Sequence, residues 1–227
     1  MKCRNLILTA ALFATCSLSV RAQGLYITEV NPSGSGSGHG YTADWFELTN
    51  TTGSAINISG WKIDDNSNSF ASSVALRGVT SIGAGQSIVF FEGLADASTD
   101  TTITSAFNSA WSTSFVFGTS IGAYGGSGVG LSQTADAVNI YNSSGVLQAN
   151  VSFGAASTLF TFDNSAKLNG AIAALSVGGT NGAYLSTGGE TGSPGFAPIP
   201  EPSTYALILG FGALGFAALR RKFVFAS

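Results

Sequence analysis

Two glutamates, Glu29 and Glu47, occupy the middle of short segments that are otherwise apolar or neutral. A pair of carboxylates can divide general acid and base work between them, as in the hydrolysis of glycosidic bonds. The same side chains could instead be buried carboxylates that accept hydrogen bonds from backbone amides and hydroxyl groups, because buried charges persist when they are hydrogen-bonded. We favour the second interpretation, and a carboxylate-based hydrolase stays as an alternative.

An oxygen-rich stretch, Asp64-Asp65-Asn66-Ser67-Asn68, resembles the first half of a calcium loop. An EF-hand loop that began at Asp64 would need glycine at position 69 and glutamate at position 75, where the chain has serine and alanine. The stretch is therefore not that motif, and we interpret it as a polar turn. A looser calcium site at Asp64, Asp65 and Asn66 remains an alternative, and no other cofactor is indicated.

Little else in the chain points to catalysis. The single histidine, His39, lies in a Gly-Ser loop, whereas a Ser-His-Asp triad needs a packed and oriented base. A zinc site would need several histidine or cysteine ligands, and the chain has no such cluster. We therefore predict no catalytic residues and no enzymatic activity.

The N-terminus has the pattern of a secretory signal peptide. Lys2 and Arg4 form a positive region, residues 6–20 form an apolar one, and cleavage by signal peptidase is predicted between Ala22 and Gln23. Both cysteines precede this point, so the exported chain would contain neither a thiol nor a disulfide.

The exported body is strongly acidic. Between residues 23 and 202 there are three cations and all twelve of the acidic residues, which gives a net charge of −9. Because nucleic acid phosphates repel such a body, a nucleic acid partner is not expected.

The C-terminus combines a proline motif, an apolar run and a basic cluster, which are Pro200-Glu201-Pro202, residues 205–219 and Arg220-Arg221-Lys222. As a helix, the 15 uncharged residues would span about 22 Å, which is short for a bilayer core of about 30 Å. This order of features resembles the PEP-CTERM sorting signal of Gram-negative bacteria. The resemblance implies a transmembrane helix within residues 203–227, cleavage near the proline motif by the membrane enzyme exosortase, and a product released or attached at the cell surface.

Short runs of β-branched and aromatic residues, separated by Gly, Asn and Ser clusters, occupy the middle of the chain. This pattern is typical of an all-β sandwich, and no sustained helical periodicity interrupts it. We predict strands over the following ranges: 25–30, 45–50, 56–58, 61–64, 87–92, 137–141, 146–153, 159–162 and 171–177. The predicted organisation is a signal peptide (1–22), one β-sandwich domain (23–186), a Gly/Pro-rich linker (187–202) and the sorting tail (203–227).

Several of these segments together resemble the lamin-tail domain. They are Leu25-Tyr26-Ile27-Thr28-Glu29-Val30, Asp44-Trp45-Phe46-Glu47-Leu48-Thr49-Asn50, Ile58-Ser59-Gly60-Trp61-Lys62-Ile63-Asp64, Asp136-Ala137-Val138-Asn139-Ile140-Tyr141 and Gly192-Ser193-Pro194-Gly195. The resemblance implies an immunoglobulin-like β-sandwich, but it does not extend to residues 92–131.

These observations predict an exported, exosortase-sorted protein of the cell surface or extracellular matrix, with extracellular polysaccharide or other surface proteins as partners. A secreted calcium- or carbohydrate-binding module is the alternative.

Overall fold

The computed structural model describes residues 24–32, 34, 40–41, 43–126 and 128–198. Fourteen strands and one helix lie in this part of the chain. The strands are β1 (Leu25–Asn31), β2 (Trp45–Asn50), β3 (Ile56–Asn57), β4 (Lys62–Asp64), β5 (Val74–Ala75), β6 (Ser81–Ile82), β7 (Ser87–Glu92), β8 (Ile121–Tyr124), β9 (Asp136–Tyr141), β10 (Leu147–Phe153), β11 (Phe162–Asp163), β12 (Gly170–Ile172), β13 (Tyr184–Leu185) and β14 (Thr191–Gly192). The helix, α1, is Asp100–Trp111.

Two five-stranded sheets form the body. The first has the strand order β11-β1-β2-β7-β8 and the second β12-β10-β9-β4-β5. Pairing is antiparallel except at β7–β8 and β10–β12, each of which lies at one edge of its sheet. Two short antiparallel pairs, β3–β6 and β13–β14, complete the described part. This mostly β architecture agrees with the predicted sandwich.

The main core lies between the two sheets. Phe46, Leu48 and Phe90 come from the first sheet, and Ile63 and Val138 come from the second. Strand β2 places Phe46 and Leu48 on the same face because side chains alternate with a period of two. The side chain of Trp61 also belongs to this core.

A second core covers the outer face of the first sheet. Trp45 and Phe91 point away from the main core and pack against α1, where Phe107 and Trp111 are fully buried. The Trp45 and Trp111 rings meet edge to face, with centroids 6.0 Å apart. The body therefore has three layers on this side: the second sheet, the first sheet and the helix.

Helix α1 corrects the expectation that no helical pattern exists in the body. Its buried positions include Ile103, Phe107, Ala110 and Trp111, which have the spacing of one helical face. The rest of the helix is mostly Thr, Ser and Asn, residues of low helix propensity, so the pattern is hidden. Packing of the apolar face on the sheet supplies the stability that propensity does not.

The seven strands predicted up to residue 153 are present with limits within one residue of those predicted, but β5, β6 and β8 were not predicted. Strands β2 and β7 have the predicted limits, and β9 and β10, which were predicted as strands, form an antiparallel hairpin. In the last third of the body, both predicted strands are shorter than expected. The strand predicted at 159–162 is Phe162–Asp163, and the strand predicted at 171–177 is Gly170–Ile172.

The C-terminal limit of the body also differs from the prediction. Residues 187–198, predicted as the start of a linker, contain β14 and the buried residues Glu190 and Ser193. The Gly and Pro content suggested a flexible segment, but the buried polar contacts of this segment hold it on the first sheet. The folded body therefore extends at least to Pro198.

The described residues contain no helix that is long and apolar enough to cross a membrane. The predicted signal peptide and transmembrane helix lie outside the described residues.

Candidate functional site

Strand geometry brings Glu29 and Glu47 to the same face of the first sheet. They are cross-strand partners on β1 and β2, and the register shifts between Ile27 and Glu29 at a bulge. Glu47 follows Phe46 and precedes Leu48, so period-two alternation directs it away from the main core. Both glutamate side chains are nonetheless buried, with exposed fractions of 1% and 0%. The residues that cover them come from the distant end of the chain.

Glu29 accepts three hydrogen bonds from two segments. The Thr161 hydroxyl donates to Oε1 at 2.5 Å, and the Ser193 backbone amide donates to the same oxygen at 2.8 Å. The Ser193 hydroxyl donates to Oε2 at 3.1 Å. The Thr161 hydroxyl also lies 2.6 Å from the Ser176 hydroxyl, which extends the network away from the sheet.

Glu47 is satisfied in a similar way. The Thr28 hydroxyl donates to its Oε1 at 2.6 Å, and the Thr49 hydroxyl donates to the same oxygen at 3.3 Å. The backbone amide of Gly195 donates to Oε2 at 2.6 Å. Gly195 has a φ of +84°, in the left-handed region that favours glycine, and a Cβ there would lie 2.6 Å from the Phe115 ring. The Ser-Pro-Gly segment thus supplies an amide to each glutamate.

A third buried carboxylate, Glu190, extends the polar network. Its side chain accepts hydrogen bonds from the Asn31 amide at 2.7 Å and from the Tyr41 hydroxyl at 2.7 Å. The Trp45 indole N–H in turn donates to the Tyr41 oxygen at 3.0 Å. The helix-covered aromatic core and the glutamate network are therefore directly connected.

Burial dominates the electrostatics of this site. It raises the pKa of Glu29 to about 8, with a further contribution from the charge of Glu47, against the hydrogen bonds from Thr161 and Ser193. Burial also raises the pKa of Glu47 to about 7, although hydrogen bonds from Thr28 and Gly195 favour the charged form. Two carboxyl groups that share a dry site hold protons at a pH where exposed carboxyls do not.

The burial of Glu29 and Glu47 limits the chemistry that this pair of carboxyl groups can do. Raised carboxyl pKa values are typical of general acids, but a substrate must also reach the carboxyl group. In the described structure both groups are buried, and Ser193 and Gly195 lie against them. The contacts are those of the structural interpretation, in which each glutamate accepts backbone and hydroxyl hydrogen bonds.

The predicted oxygen-rich turn is largely satisfied by its own residues. Asp64 Oδ2 accepts hydrogen bonds from the Ser67 hydroxyl at 2.6 Å and the Ser69 amide at 2.7 Å. Asp65 Oδ1 accepts from the Ser67 amide, and the Asn66 amide donates to Asp136. One atom is different: Asp64 Oδ1 is buried and has no hydrogen-bond partner. No group of three or more His, Cys, Asp or Glu side chains in the described ranges is arranged to hold a metal ion.

The other predicted site residues lie outside the described residues. These are the signal-cleavage pair Ala22 and Gln23, His39, and the sorting-signal residues Pro200, Glu201, Pro202, Arg220, Arg221 and Lys222.

Sequence reasoning missed Glu190, Thr161 and Tyr41, which complete the polar site. Glu190 is the only acidic residue between positions 164 and 200, in a Gly/Thr-rich segment that otherwise resembles a linker. A lone carboxylate in such a segment is a weak signal by itself. Its partners, Asn31 and Tyr41, are about 150 residues away in the chain, so only the fold could reveal the contact.

A separate cavity of about 330 Å³ lies beside the N-terminal end of α1, lined by Glu92, Gly93, Leu94, Thr99, Thr102 and Ile103. Burial raises the pKa of Glu92 above its ordinary value. Trp111 lies at the other end of α1, and the cavity shares no lining residue with the glutamate site.

Comparison with known families gives two matches. The family model described as Lamin Tail Domain matches residues 20–155, which is more than half of the chain. The model described as PEP-CTERM protein-sorting motif matches residues 198–222. No curated protein matches the chain.

Proposed function

The chain belongs to the lamin tail domain family and ends in a PEP-CTERM sorting motif, and from this premise we propose that it is an exosortase-sorted surface protein. The motif assigns the chain to export and to the cell surface. In the finer proposal, signal peptidase removes residues 1–22, the apolar run at 205–219 anchors the chain transiently in the membrane, and exosortase then cleaves near Pro200-Glu201-Pro202. The folded domain is the part that remains outside.

The observation that carries this proposal is the order of the two family matches. The Lamin Tail Domain model matches residues 20–155, and the sorting motif follows at residues 198–222. In the chain, the folded body is thus followed by the sorting motif. That order is expected of an exported domain that is followed by a C-terminal sorting signal.

We propose that the domain acts by binding or packing within the extracellular matrix, without catalysis and without a cofactor. Extracellular polysaccharide and other surface proteins are the proposed partners. The burial of Glu29 and Glu47 supports a non-catalytic role, because a glycan could reach them only after residues 193–195 had moved away. The net charge of −9 over residues 23–202 supports a soluble, exported body.

Mass spectrometry of the protein isolated from its native cell envelope tests the proposal. We expect a new N-terminus at Gln23 and a C-terminus near the proline motif, with or without an added group. A chain with Met1 and residues 203–227 still present would contradict it. For the absence of catalysis, glycan hydrolysis should be undetectable, and a hydrolytic activity that Glu29→Gln removes would favour the hydrolase alternative.

A further inference from the structure

The segment just before the sorting motif is held by buried groups of the body. We call residues 190–198 the clasp. Ser193 and Gly195 donate backbone amides to Glu29 and Glu47, at 2.8 Å and 2.6 Å. Nearer the end, the Lys167 Nζ donates to the Pro198 carbonyl at 2.7 Å. Three contacts from three different parts of the body therefore hold this segment in place.

The residues of the clasp become more exposed to solvent from Ser193 to Phe196. Ser193 and Pro194 are buried, Gly195 is intermediate, and Phe196 is 53% exposed. The contact at Pro198 is part-buried. Opening from the C-terminal end would thus release the Lys167 contact first and the two glutamate contacts afterwards.

The distance between the clasp and the sorting motif is short. One residue separates Pro198 from Pro200, so the Pro-Glu-Pro motif begins two positions after the last clasp residue. Enzymes that bind a peptide in extended form pair with its backbone over several residues. On the N-terminal side of the motif, those backbone groups belong to the clasp.

We infer that the clasp controls the access of the sorting enzyme to Pro200-Glu201-Pro202, so that processing requires local opening of residues 190–198. The inference rests on the proposed function, because it assumes that the motif is processed. Local opening of terminal segments occurs without unfolding of the whole domain. The processing rate then follows the population of the open clasp.

The position of Lys167 strengthens this inference. Its backbone has a φ of +56°, a left-handed conformation that non-glycine residues seldom adopt. Its amide donates to the Asn164 carbonyl at 2.8 Å, within a tight turn that directs the side chain to Pro198. Lys167 is thus a positioning residue for the clasp.

The experiment measures the rate at which the precursor becomes the shorter product, by pulse-chase in cells that contain the sorting enzyme. Lys167→Met keeps the apolar stem and removes the contact to Pro198. The matched control is Lys62→Met, since Lys62 lies over the Phe70 ring on the second sheet, away from the clasp. Loss of one hydrogen bond should raise the open population, and with it the rate, by about five- to tenfold.

A second variant leaves the fold untouched. Insertion of six Gly/Ser residues after Pro198 supplies free chain to the enzyme while the clasp stays closed. We expect the insertion to accelerate processing at least as much as Lys167→Met, and we expect no further gain when the two are combined. Rate gains that do not add indicate that the insertion and Lys167→Met relieve the same restriction. If Lys167→Met only destabilised the domain, its effect on the rate would add to that of the insertion.

Two results overturn the inference: an insertion that leaves the rate unchanged or lowers it, or a Lys167→Met chain that is processed no faster than Lys62→Met. Failure of the proposed function gives a different result. In that case the parent chain is not shortened at all, or Glu201→Ala is shortened as fast as the parent.

Discussion

The buried glutamate pair predicts that this protein becomes less stable as the pH rises from 5.5 to 7.5. Folding raises the pKa of Glu29 from 4.5 to about 8 and that of Glu47 to about 7. In this pH range the folded state keeps protons that the unfolded state has already lost. Stability that is fully present below pH 4.5 is therefore lost as the pH rises through the folded-state pKa values.

The expected magnitude follows from this linkage. A carboxyl group that is protonated only in the folded state lowers the free energy of unfolding by about 1.4 kcal/mol for each pH unit. Over two units the two groups together lower the free energy of unfolding by about 4 kcal/mol. For a domain of this size, a loss of about 4 kcal/mol lowers Tm by roughly 8–16 °C.

Urea unfolding at several pH values, followed by tryptophan fluorescence, measures this effect, because Trp45 and Trp111 are fully buried. The variant Glu29→Gln keeps the shape of the side chain and cannot titrate, so its loss of unfolding free energy between pH 5.5 and 7.5 should be smaller than that of the parent by roughly 2 kcal/mol. Asp96→Asn is the matched control. Hydrogen bonds from Ser98 lower the pKa of Asp96, so that exposed group titrates below this range.

The reasoning fails if the unfolding free energy of the parent chain is constant or rises between pH 5.5 and 7.5. It fails equally if Glu29→Gln loses as much stability over this range as the parent does. Either result would mean that water or a local rearrangement neutralises the cost of the buried charges.

Three further predictions concern packing, an ion pair and calcium. Gly192→Ala should lower the unfolding free energy by about 1–3 kcal/mol in urea, because the added Cβ would lie 2.6 Å from the nearest carboxylate oxygen, whereas Gly53→Ala, in open space, should not. Arg77→Met removes two 2.8 Å contacts to Asp100 and should cost about 2–4 kcal/mol, part of which a second substitution, Asp100→Leu, should recover. Millimolar calcium should not raise Tm, because no third acidic side chain in the described region completes a site at Asp64. A calcium-dependent rise that Asp64→Asn abolishes would instead favour a calcium-binding module.

The local periodicity of the chain was enough to predict its regular strands. In β2, alternation placed Phe46 and Leu48 on one face, and runs of β-branched and aromatic residues located β9 and β10. These features depend on residues close together in sequence. The predicted signal peptide and the sorting signal are also identified from local sequence alone, because charge and the length of the apolar run define them.

Helix α1 could not be predicted in this way. Its Thr, Ser and Asn residues favour other conformations, and its stability comes from packing Phe107 and Trp111 on the outer face of the first sheet. The sequence around residues 100–111 does not show that the outer face of the sheet is apolar around Trp45, so the stabilising contact could not be predicted from it.

The sequence alone determined that the chain is built from strands, that its body is acidic, and that it carries a sorting address at its end. Only the tertiary structure decided that Glu29 and Glu47 share a dry site and that Ser193 and Gly195 supply their hydrogen bonds. Those partners are about 150 residues apart in the chain, and their contact depends on the packing of both sheets and the helix. Local patterns can specify which segments are strands, but the distance between two remote groups is a property of the whole fold.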